Sequence, residues 1–282
     1  MAKIIHSAKK MAEFCRAHRK KGSKIGVVPT MGALHEGHLS LIRRAAAHND
    51  IVIVTLFINP LQFGPKEDFK RYPRNLRNDA RLSAQAGADV IFAPSVKEVY
   101  PEGFQTSIEP GKLAQRWEAS SRPGHFRGVA TVVSILFQLT QPTQAYFGQK
   151  DYQQALIIQR LVKDLHFPIR VHILPTVREP DGLAMSSRNA YLSSSQRAQA
   201  RLLSEALLAA HQRIRQGERR AEALIEAMRS VIGQAQDARI DYTAVADAKT
   251  LEPLWRLRGR VVILLAVWIG QTRLIDNLLV DV

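Results

Sequence analysis

The chain has 282 residues, of which 46% are hydrophobic, and it carries 40 Lys and Arg against 25 Asp and Glu, a formal net charge of +15. This composition argues against a disordered chain, and the length allows about two domains or one large one. The single cysteine, Cys15, excludes an intrachain disulfide and is typical of a reducing compartment. We interpret Cys15 as a core residue rather than a reactive thiol.

The positive charge is spread along the chain, and its short basic clusters lack interleaved aromatic residues. It therefore favours a solvated surface, which helps to steer an anionic small substrate, over a nucleic-acid partner. No apolar run approaches the roughly 20 residues that span a bilayer, and no secretory signal is evident. We expect a cytoplasmic protein without membrane contact.

Residues 1–178 alternate strand-like and helix-like segments. Apolar runs predict strands at residues 25–28, 51–57, 90–93, 145–147 and 169–174. Helical spacing predicts helices at residues 7–21, 39–46, 75–86, 131–139 and 151–165, two of which stop at Gly22 and Gly87. This alternation is typical of an α/β fold with a doubly wound parallel sheet, whose ligands bind beyond the carboxyl ends of the strands. We expect the polar turns after residues 28, 59 and 147 to face one crevice there.

The pattern changes at residues 179–182, where proline and glycine indicate a boundary or hinge. Helices are predicted at residues 195–216 and 219–232, followed by strands at 240–246, 261–269 and 274–280. Residues 179–282 therefore form a second, smaller α+β domain in this prediction.

The most informative segment joins the first predicted strand of the sheet to the helix that follows it. Its sequence is Pro29-Thr30-Met31-Gly32-Ala33-Leu34-His35-Glu36-Gly37-His38. Unpaired N–H groups at a helix start favour a bound phosphate, and imidazoles there can donate to a phosphoryl oxygen as its charge grows. Taken alone, the two histidines also fit a polar surface. A metalloprotease motif, a P-loop and a dinucleotide motif each need a different spacing.

Several further motifs complete a resemblance to the pantothenate synthetase family over almost the whole chain. They are Asn59-Pro60-Leu61-Gln62-Phe63-Gly64, Glu67-Asp68-Phe69, Arg71-Tyr72-Pro73-Arg74, Arg122-Pro123-Gly124-His125-Phe126, Phe147-Gly148-Gln149-Lys150-Asp151-Tyr152-Gln153-Gln154, Pro175-Thr176-Val177-Arg178-Glu179, Asp181-Gly182-Leu183-Ala184-Met185-Ser186-Ser187-Arg188-Asn189 and Thr272-Arg273-Leu274-Ile275-Asp276-Asn277.

The resemblance implies an ATP-dependent condensation of pantoate with β-alanine through a pantoyl-adenylate, releasing AMP and pyrophosphate. It also implies a Rossmann-like first domain similar to that of class I aminoacyl-tRNA synthetases, a lid-like second domain that closes over the site, a cytoplasmic homodimer, and Mg²⁺ accompanying ATP. A protein ligand for Mg²⁺ is not evident from the sequence, and Asp79 is the one candidate we name.

The same resemblance assigns the site residues. His35, His38 and Lys150 are the implied catalytic groups: the imidazoles stabilise the α-phosphate, His38 is a candidate proton donor, and Lys150 bridges triphosphate oxygens. Gln62 and Gln154 hold pantoate, and Gln62 also contacts β-alanine. Val177 contacts adenine through its backbone. The implied ATP-binding residues are Met31, Gly32, Ala33, Leu34, His35, Glu36, Gly37, His38, Gly148, Gln149, Lys150, Asp151, Val177, Met185, Ser186, Ser187 and Arg188.

Three positions depart from the family pattern. Gln149 stands where we expect Glu, Trp117-Glu118-Ala119 where Leu-Glu-Gly is more frequent, and Thr143 where Asp is frequent.

Two alternative functions stay open from the sequence. One is a nucleotidyltransferase that adenylylates a phosphate ester and shares the His-x-Gly-His turn. The two glutamines Gln62 and Gln154 suit a hydroxy acid better than a phosphate ester. The other is a basic RNA-binding module.

Overall fold

The computed structural model describes residues 2–65 and 67–282. Its contacts divide the chain into two compact units. The first runs to Gly148 and resumes over Gln154–Pro175, and the second comprises Gln149–Gln153 and Thr176–Val282. The sequence-based boundary after residue 178 did not anticipate that the short segment Gln149–Gln153 groups with the second unit.

The first unit contains a six-stranded sheet in which every neighbouring pair is parallel. Its strands are β1 (Lys3–Ile5), β2 (Ile25–Thr30), β3 (Ile51–Leu56), β4 (Val90–Phe92), β5 (Gln144–Gly148) and β6 (Arg170–Leu174). The spatial order is β1-β4-β3-β2-β5-β6. The predicted parallel, Rossmann-like sheet is confirmed. Strand β1 was not predicted, because three residues are too few for a recognisable pattern.

The helices of this part of the chain match the predicted positions closely, with short additions. They are α1 (Ala8–Lys20), α2 (Glu36–Ala46), α3 (Leu76–Gln85), α4 (Val96–Val99), α5 (Glu118–Ser121), α6 (His125–Thr140) and α7 (Tyr152–Asp164). The side chains of Ser7 and Asn75 cap α1 and α3. Helix α6 begins at His125, six residues earlier than predicted.

Apolar side chains fill both faces of the sheet, which explains the nearly continuous hydrophobic strands. Cys15 lies fully buried in one of these layers, and burial raises the pKa of its thiol to about 12. The interpretation of Cys15 as a packing residue is thereby confirmed.

The strand order creates one position where the winding direction reverses. From β2 the chain moves outward through β3 and β4, and it then returns to place β5 on the other side of β2. Ligands of open α/β sheets bind at this position, beyond the carboxyl ends of the two central strands. Here those ends are Thr30 and Gly148.

The second unit has an antiparallel sheet in the order β7-β8-β9, with helices packed against it. Its elements are α8 (Ser194–Ala200), α9 (Leu202–Arg215), α10 (Ala221–Ile232), β7 (Ala238–Asp247), β8 (Arg260–Ile269) and β9 (Thr272–Asp281). The predicted α+β organisation is confirmed, but the single helix expected over residues 195–216 was wrong. It is interrupted at Arg201, whose carbonyl accepts both the N–H and the hydroxyl of Ser204, at 3.0 and 2.8 Å.

Within the described ranges, no helix combines the length and the apolar character needed to cross a membrane.

A glycine inside α6 allows that helix to contact the backbone of a short 3-10 turn, Pro60–Gln62. A Cβ atom at Gly128 would lie 2.3 Å from the Leu61 carbonyl oxygen and 2.7 Å from the Gln62 nitrogen. Both neighbours are backbone atoms and cannot rotate away, so a side chain at this position would separate the helix from the turn.

Replacing Gly128 tests this contact. We expect Gly128→Ala to lower the free energy of unfolding by about 1–3 kcal/mol, as overpacking does elsewhere. Urea denaturation measures the change. The matched control is Gly64→Ala, whose Cβ would approach only the Glu67 side chain, at 3.7 Å or more; a change of less than about 0.5 kcal/mol is expected there. Equal midpoints for the two variants would contradict the close approach.

Candidate functional site

The loop after β2 has an unusual backbone that its sequence permits. Gly32 and Ala33 both have positive φ angles, 85° and 51°. The Thr30 hydroxyl donates to the Thr55 carbonyl oxygen at 2.8 Å and accepts from the Gly32 N–H at 3.2 Å. A Cβ on Gly32 would lie 2.9 Å from an Asp79 carboxylate oxygen. Glycine is therefore needed here both for the conformation and for the space.

Asp79 fixes the shape of this loop. Its side chain is buried, and its two oxygens accept the N–H groups of Ala33 and Leu34, at 3.0 and 2.9 Å. The structure shows Asp79 in this role in the loop, and its candidate assignment to Mg²⁺ stays a prediction of the sequence. Among the residues that the structure describes, no group of three or more His, Cys, Asp or Glu side chains is placed to hold a metal ion.

The two histidines of the loop form a reciprocal cap at the start of α2. The Nδ1 atom of His35 accepts the Gly37 N–H at 3.2 Å, and the Nδ1 atom of His38 accepts the His35 N–H at 3.4 Å. Their rings lie 4.1 Å apart between centroids. Because each Nδ1 is an acceptor, the proton of each neutral ring is on Nε2.

This arrangement gives two Nε2–H donors at the positive end of a helix dipole. Such an arrangement can bind an anion and can donate hydrogen bonds to an oxygen on which negative charge develops. Met31, Gly32, Ala33, Leu34, Glu36 and Gly37, the other predicted ATP residues of this segment, form the loop and first turn that hold the two rings.

Gln62 has a defined amide orientation. Its Oε1 accepts the Asn59 Nδ2 at 3.0 Å, while its Nε2 lies 3.2 Å from the Met31 sulfur. A thioether is a weak acceptor, so the Nε2–H₂ group keeps most of its capacity to donate. The side chain of Gln62 is therefore presented as a hydrogen-bond donor.

Asn59 sets that orientation because its own amide is fully used. Its Nδ2 also donates to the Gly128 carbonyl oxygen at 3.0 Å, and its Oδ1 accepts the Tyr100 hydroxyl at 2.7 Å and the Leu61 N–H at 3.2 Å. Burial raises the pKa of Tyr100, which keeps the phenol protonated as a donor. A flipped Asn59 would lose all four of these bonds.

The backbone of Gln62 is held by a buried charged cluster. His125 Nδ1 lies 2.8 Å from the Gln62 carbonyl oxygen, and His125 Nε2 lies 3.0 Å from Arg122. Arginine has no acceptor, so His125 accepts at Nε2 and donates from Nδ1. Arg122 also forms a bidentate ion pair with Glu67, at 2.6 and 2.7 Å. Burial alone raises the pKa of Glu67, but the hydrogen bonds and charge of Arg122 outweigh it and hold that pKa below its usual value.

The remaining predicted residues of the first unit are Gly148, at the end of β5, and Gln154, half-buried in the first turns of α7. Between them lies the segment Gln149–Gln153, which belongs to the second unit. Lys150 is 20% exposed, and its Nζ lies 3.6 Å from the half-exposed carboxylate of Asp151. The Tyr152 hydroxyl donates to the Ala248 carbonyl oxygen at 2.7 Å and so ties this segment to its unit.

The other predicted nucleotide residues lie in one continuous stretch of the second unit. The Val177 carbonyl accepts the Met185 N–H at 3.0 Å, which brings together two residues assigned to ATP. Ser186 caps a 3-10 turn, Ser187–Tyr191, by accepting the Arg188 N–H at 3.3 Å. Met185, Ser186, Ser187 and Arg188 are half-buried.

Sequence reasoning missed the residues that orient the site. Asn59, Arg122 and His125 lay within quoted motifs but had no assigned role, and Tyr100 was not singled out. One signal was available: Gly128 stands inside a helix, and such a glycine can indicate a close backbone contact.

The comparisons with known proteins give one consistent family match. The family model for pantoate–β-alanine ligase matches residues 3–279. The pantothenate synthetase of Moorella thermoacetica is 53% identical over 279 residues, 99% of each chain. A crystal structure of pantothenate synthetase from Thermus thermophilus has a TM-score of 0.93 at 45% identity, covering 98% of each chain. A crystal structure of the ligase from Francisella tularensis, complexed with β,γ-ATP and β-alanine, has a TM-score of 0.81 at 38% identity, covering 99% of this chain and 98% of that one.

Family model, relatives and solved structures all match nearly the full length of the chain, in agreement with the motifs that the sequence presents. The chain belongs to the pantoate–β-alanine ligase family and is a ligase that forms pantothenate.

Proposed function

We propose that this ligase works in two steps through a pantoyl-adenylate. A carboxylate oxygen of pantoate attacks the α-phosphorus of ATP, and pyrophosphate leaves. The β-alanine amine then attacks the acyl carbon, loses a proton and displaces AMP, which forms the amide bond. The first step makes the carboxylate reactive, since a free carboxylate is a poor acyl donor at neutral pH.

The histidine cap at the start of α2 carries this proposal. During the first step, negative charge builds up on the α-phosphate oxygens, and the Nε2–H groups of His35 and His38 are donors of the kind that stabilise it. We propose that His38 acts through its Nε2–H as a hydrogen-bond donor and keeps its proton, because a neutral ring that lost this proton would become an imidazolate. Because the cap fixes both rings before substrate binds, little reorganisation is needed during the reaction.

We propose that Gln62 and Gln154 bind pantoate. Asn59 turns the Gln62 amide so that Nε2 is the available group, and pantoate offers carboxylate and hydroxyl oxygens as acceptors. The ligase from Francisella tularensis was solved with β-alanine, which supports β-alanine as a substrate of this chain. We propose that Gln62 also contacts it.

Further proposed ATP residues follow Gly148 in the sequence. Lys150, Ser186, Ser187 and Arg188 bring cations and hydroxyls suited to the β- and γ-phosphates, and Val177 is assigned to adenine. The Francisella tularensis complex with β,γ-ATP supports ATP as the nucleotide. Mg²⁺ commonly binds through substrate phosphates with few protein ligands, so we propose that it enters with ATP.

The full-length family match favours this ligase over the nucleotidyltransferase considered from the sequence. The homodimer, the cytoplasmic location and the lack of a nucleic-acid partner stay predictions of the sequence.

An isotope-exchange experiment tests the adenylate. With ATP, Mg²⁺ and pantoate, and without β-alanine, we expect the enzyme to incorporate labelled pyrophosphate into ATP, since the first step is reversible. Omission of pantoate is the control and should abolish exchange. Exchange that requires β-alanine would contradict an adenylate formed before the amine reacts.

Two replacements of His38 distinguish its role in the helix cap, as an acceptor at Nδ1, from its proposed role in the reaction, as a donor at Nε2. We expect His38→Ala to lower kcat by about two to three orders of magnitude, as loss of one transition-state donor does. The Oδ1 atom of His38→Asn can still accept the His35 N–H, but this side chain lacks the Nε2 donor, so its kcat should fall as far. Exposed His48, in the His48→Ala variant, is the control and should stay near the parent rate. Activity of His38→Asn within twofold of the parent would remove the assigned role.

A change at Gln62 tests its amide orientation. Gln62→Glu replaces the donating Nε2 by a charged oxygen, which repels the pantoate carboxylate. We expect the KM for pantoate to rise about 10- to 100-fold, the cost of one hydrogen bond turned into a repulsion. Initial rates over a pantoate series measure this change. Gln105→Glu adds the same charge at an exposed position and should leave this KM unchanged. An unchanged KM in Gln62→Glu would show that the amide does not donate to pantoate.

A further inference from the structure

We propose that Asn277 on β9 is a positioning residue that holds the Gln149–Lys150 turn and thereby places the Lys150 ammonium for the phosphates of ATP. The inference rests on the proposed function, because it concerns how Lys150 is held rather than what it binds. All of the residues involved belong to the second unit.

The amide of Asn277 is committed to this turn. Its Nδ2 donates to two successive carbonyl oxygens, those of Gln149 and Lys150, both at 2.9 Å. Its Oδ1 accepts the Gln149 side-chain Nε2 at 3.3 Å. Asn277 is 2% exposed, so water does not replace these bonds easily, and unpaired carbonyls in such a place are costly.

Asn277 is itself rigidly held. It lies within β9, paired with Leu264 of β8 in the antiparallel register. Its N–H donates to Asp276 Oδ1 at 2.7 Å, and the buried Asp276 forms a bidentate ion pair with Arg178, at 2.6 and 3.0 Å. Arg178 also donates to the Gly182 carbonyl oxygen at 3.0 Å. We call the three hydrogen bonds between the Asn277 amide and the turn the clamp. The residue that forms the clamp is therefore held by an ordered strand and by a buried ion pair.

Lys150 needs such a clamp because its position is unfavourable for a cation. It lies two residues before the start of α7, at the end of the helix where the dipole repels positive charge, and its side chain is mostly buried. The neighbouring Asp151 is half-exposed, so screening weakens its attraction. Asp276 interacts electrostatically with Lys150, which places the strand that carries the clamp close to this ammonium.

The clamp also explains a departure from the family pattern. Gln149 stands where the family resemblance leads us to expect Glu, and its amide donates to Asn277 Oδ1. An ionised Glu has no hydrogen to donate there. In this chain, Gln149 thus contributes a third bond between the turn and the strand.

A double-mutant cycle on ATP binding tests the proposal. Asn277→Ala, Lys150→Ala and the double variant are compared by calorimetric titration with ATP. We expect Asn277→Ala to raise the Kd for ATP about tenfold in the parent, the cost of roughly one net hydrogen bond to the turn. In the Lys150→Ala background, the same change should alter Kd less than twofold, because the residue it positions is gone.

The isosteric variant Asn277→Asp keeps the size of the side chain and removes the Nδ2 donor. It replaces Asn277→Ala in the experiment if the alanine variant does not fold. It should weaken ATP binding at least as much as alanine does. Leu274→Ala is the structural control: it removes a buried side chain from the same strand without touching the turn. It should lower Tm while leaving Kd for ATP within twofold.

The outcomes separate this inference from the function on which it rests. Equal effects of Asn277→Ala with and without Lys150 would overturn the positioning role, and so would an unchanged Kd in Asn277→Asp. An unchanged Kd in Lys150→Ala would instead remove the role of Lys150 in ATP binding, and the positioning role with it.

Discussion

The pair of hydrogen bonds from Ala33 and Leu34 to the buried Asp79 carboxylate is the constraint on which the first unit's site depends. These bonds hold a loop with two consecutive positive φ angles, a conformation that would otherwise be strained at Ala33. The loop delivers His35 to the N-cap of α2, and the cap then fixes both imidazoles. A carboxylate on α3 thus determines where two rings at the start of α2 stand.

Other polar side chains also act indirectly, by orienting the residues proposed to bind the substrates. Asn59 orients the Gln62 amide, and His125 with Arg122 holds the Gln62 backbone. Asparagine and histidine suit this work because each presents a donor and an acceptor on a short, rigid frame. Buried and fully bonded, such groups exclude alternative orientations, which is what a site for charge stabilisation requires.

Much of the fold, and the position of the histidine turn, could be predicted from the sequence. Hydrophobic runs and glycine stops predicted the central strands and most helices, since burial on both faces leaves a strong pattern. The motifs predicted the His35–His38 turn. The orienting residues were not predictable, because a hydrogen bond such as that between Asn59 and Tyr100 joins positions 41 residues apart and leaves no periodic trace. Asp79 was noticed for its charge, but its partners are backbone N–H groups that no sequence pattern displays. The break at Arg201 involves two local hydrogen bonds to its carbonyl, from the N–H and the hydroxyl of Ser204, and neither leaves a periodic pattern.

The reciprocal imidazole cap has a consequence for behaviour in acid. Each ring can accept its backbone N–H only while the Nδ1 atom carries a lone pair and no proton. A proton on Nδ1 of either ring would place an N–H opposite a backbone N–H and remove that hydrogen bond of the cap. The position of the two Nε2–H donors therefore depends on rings that carry no proton at Nδ1.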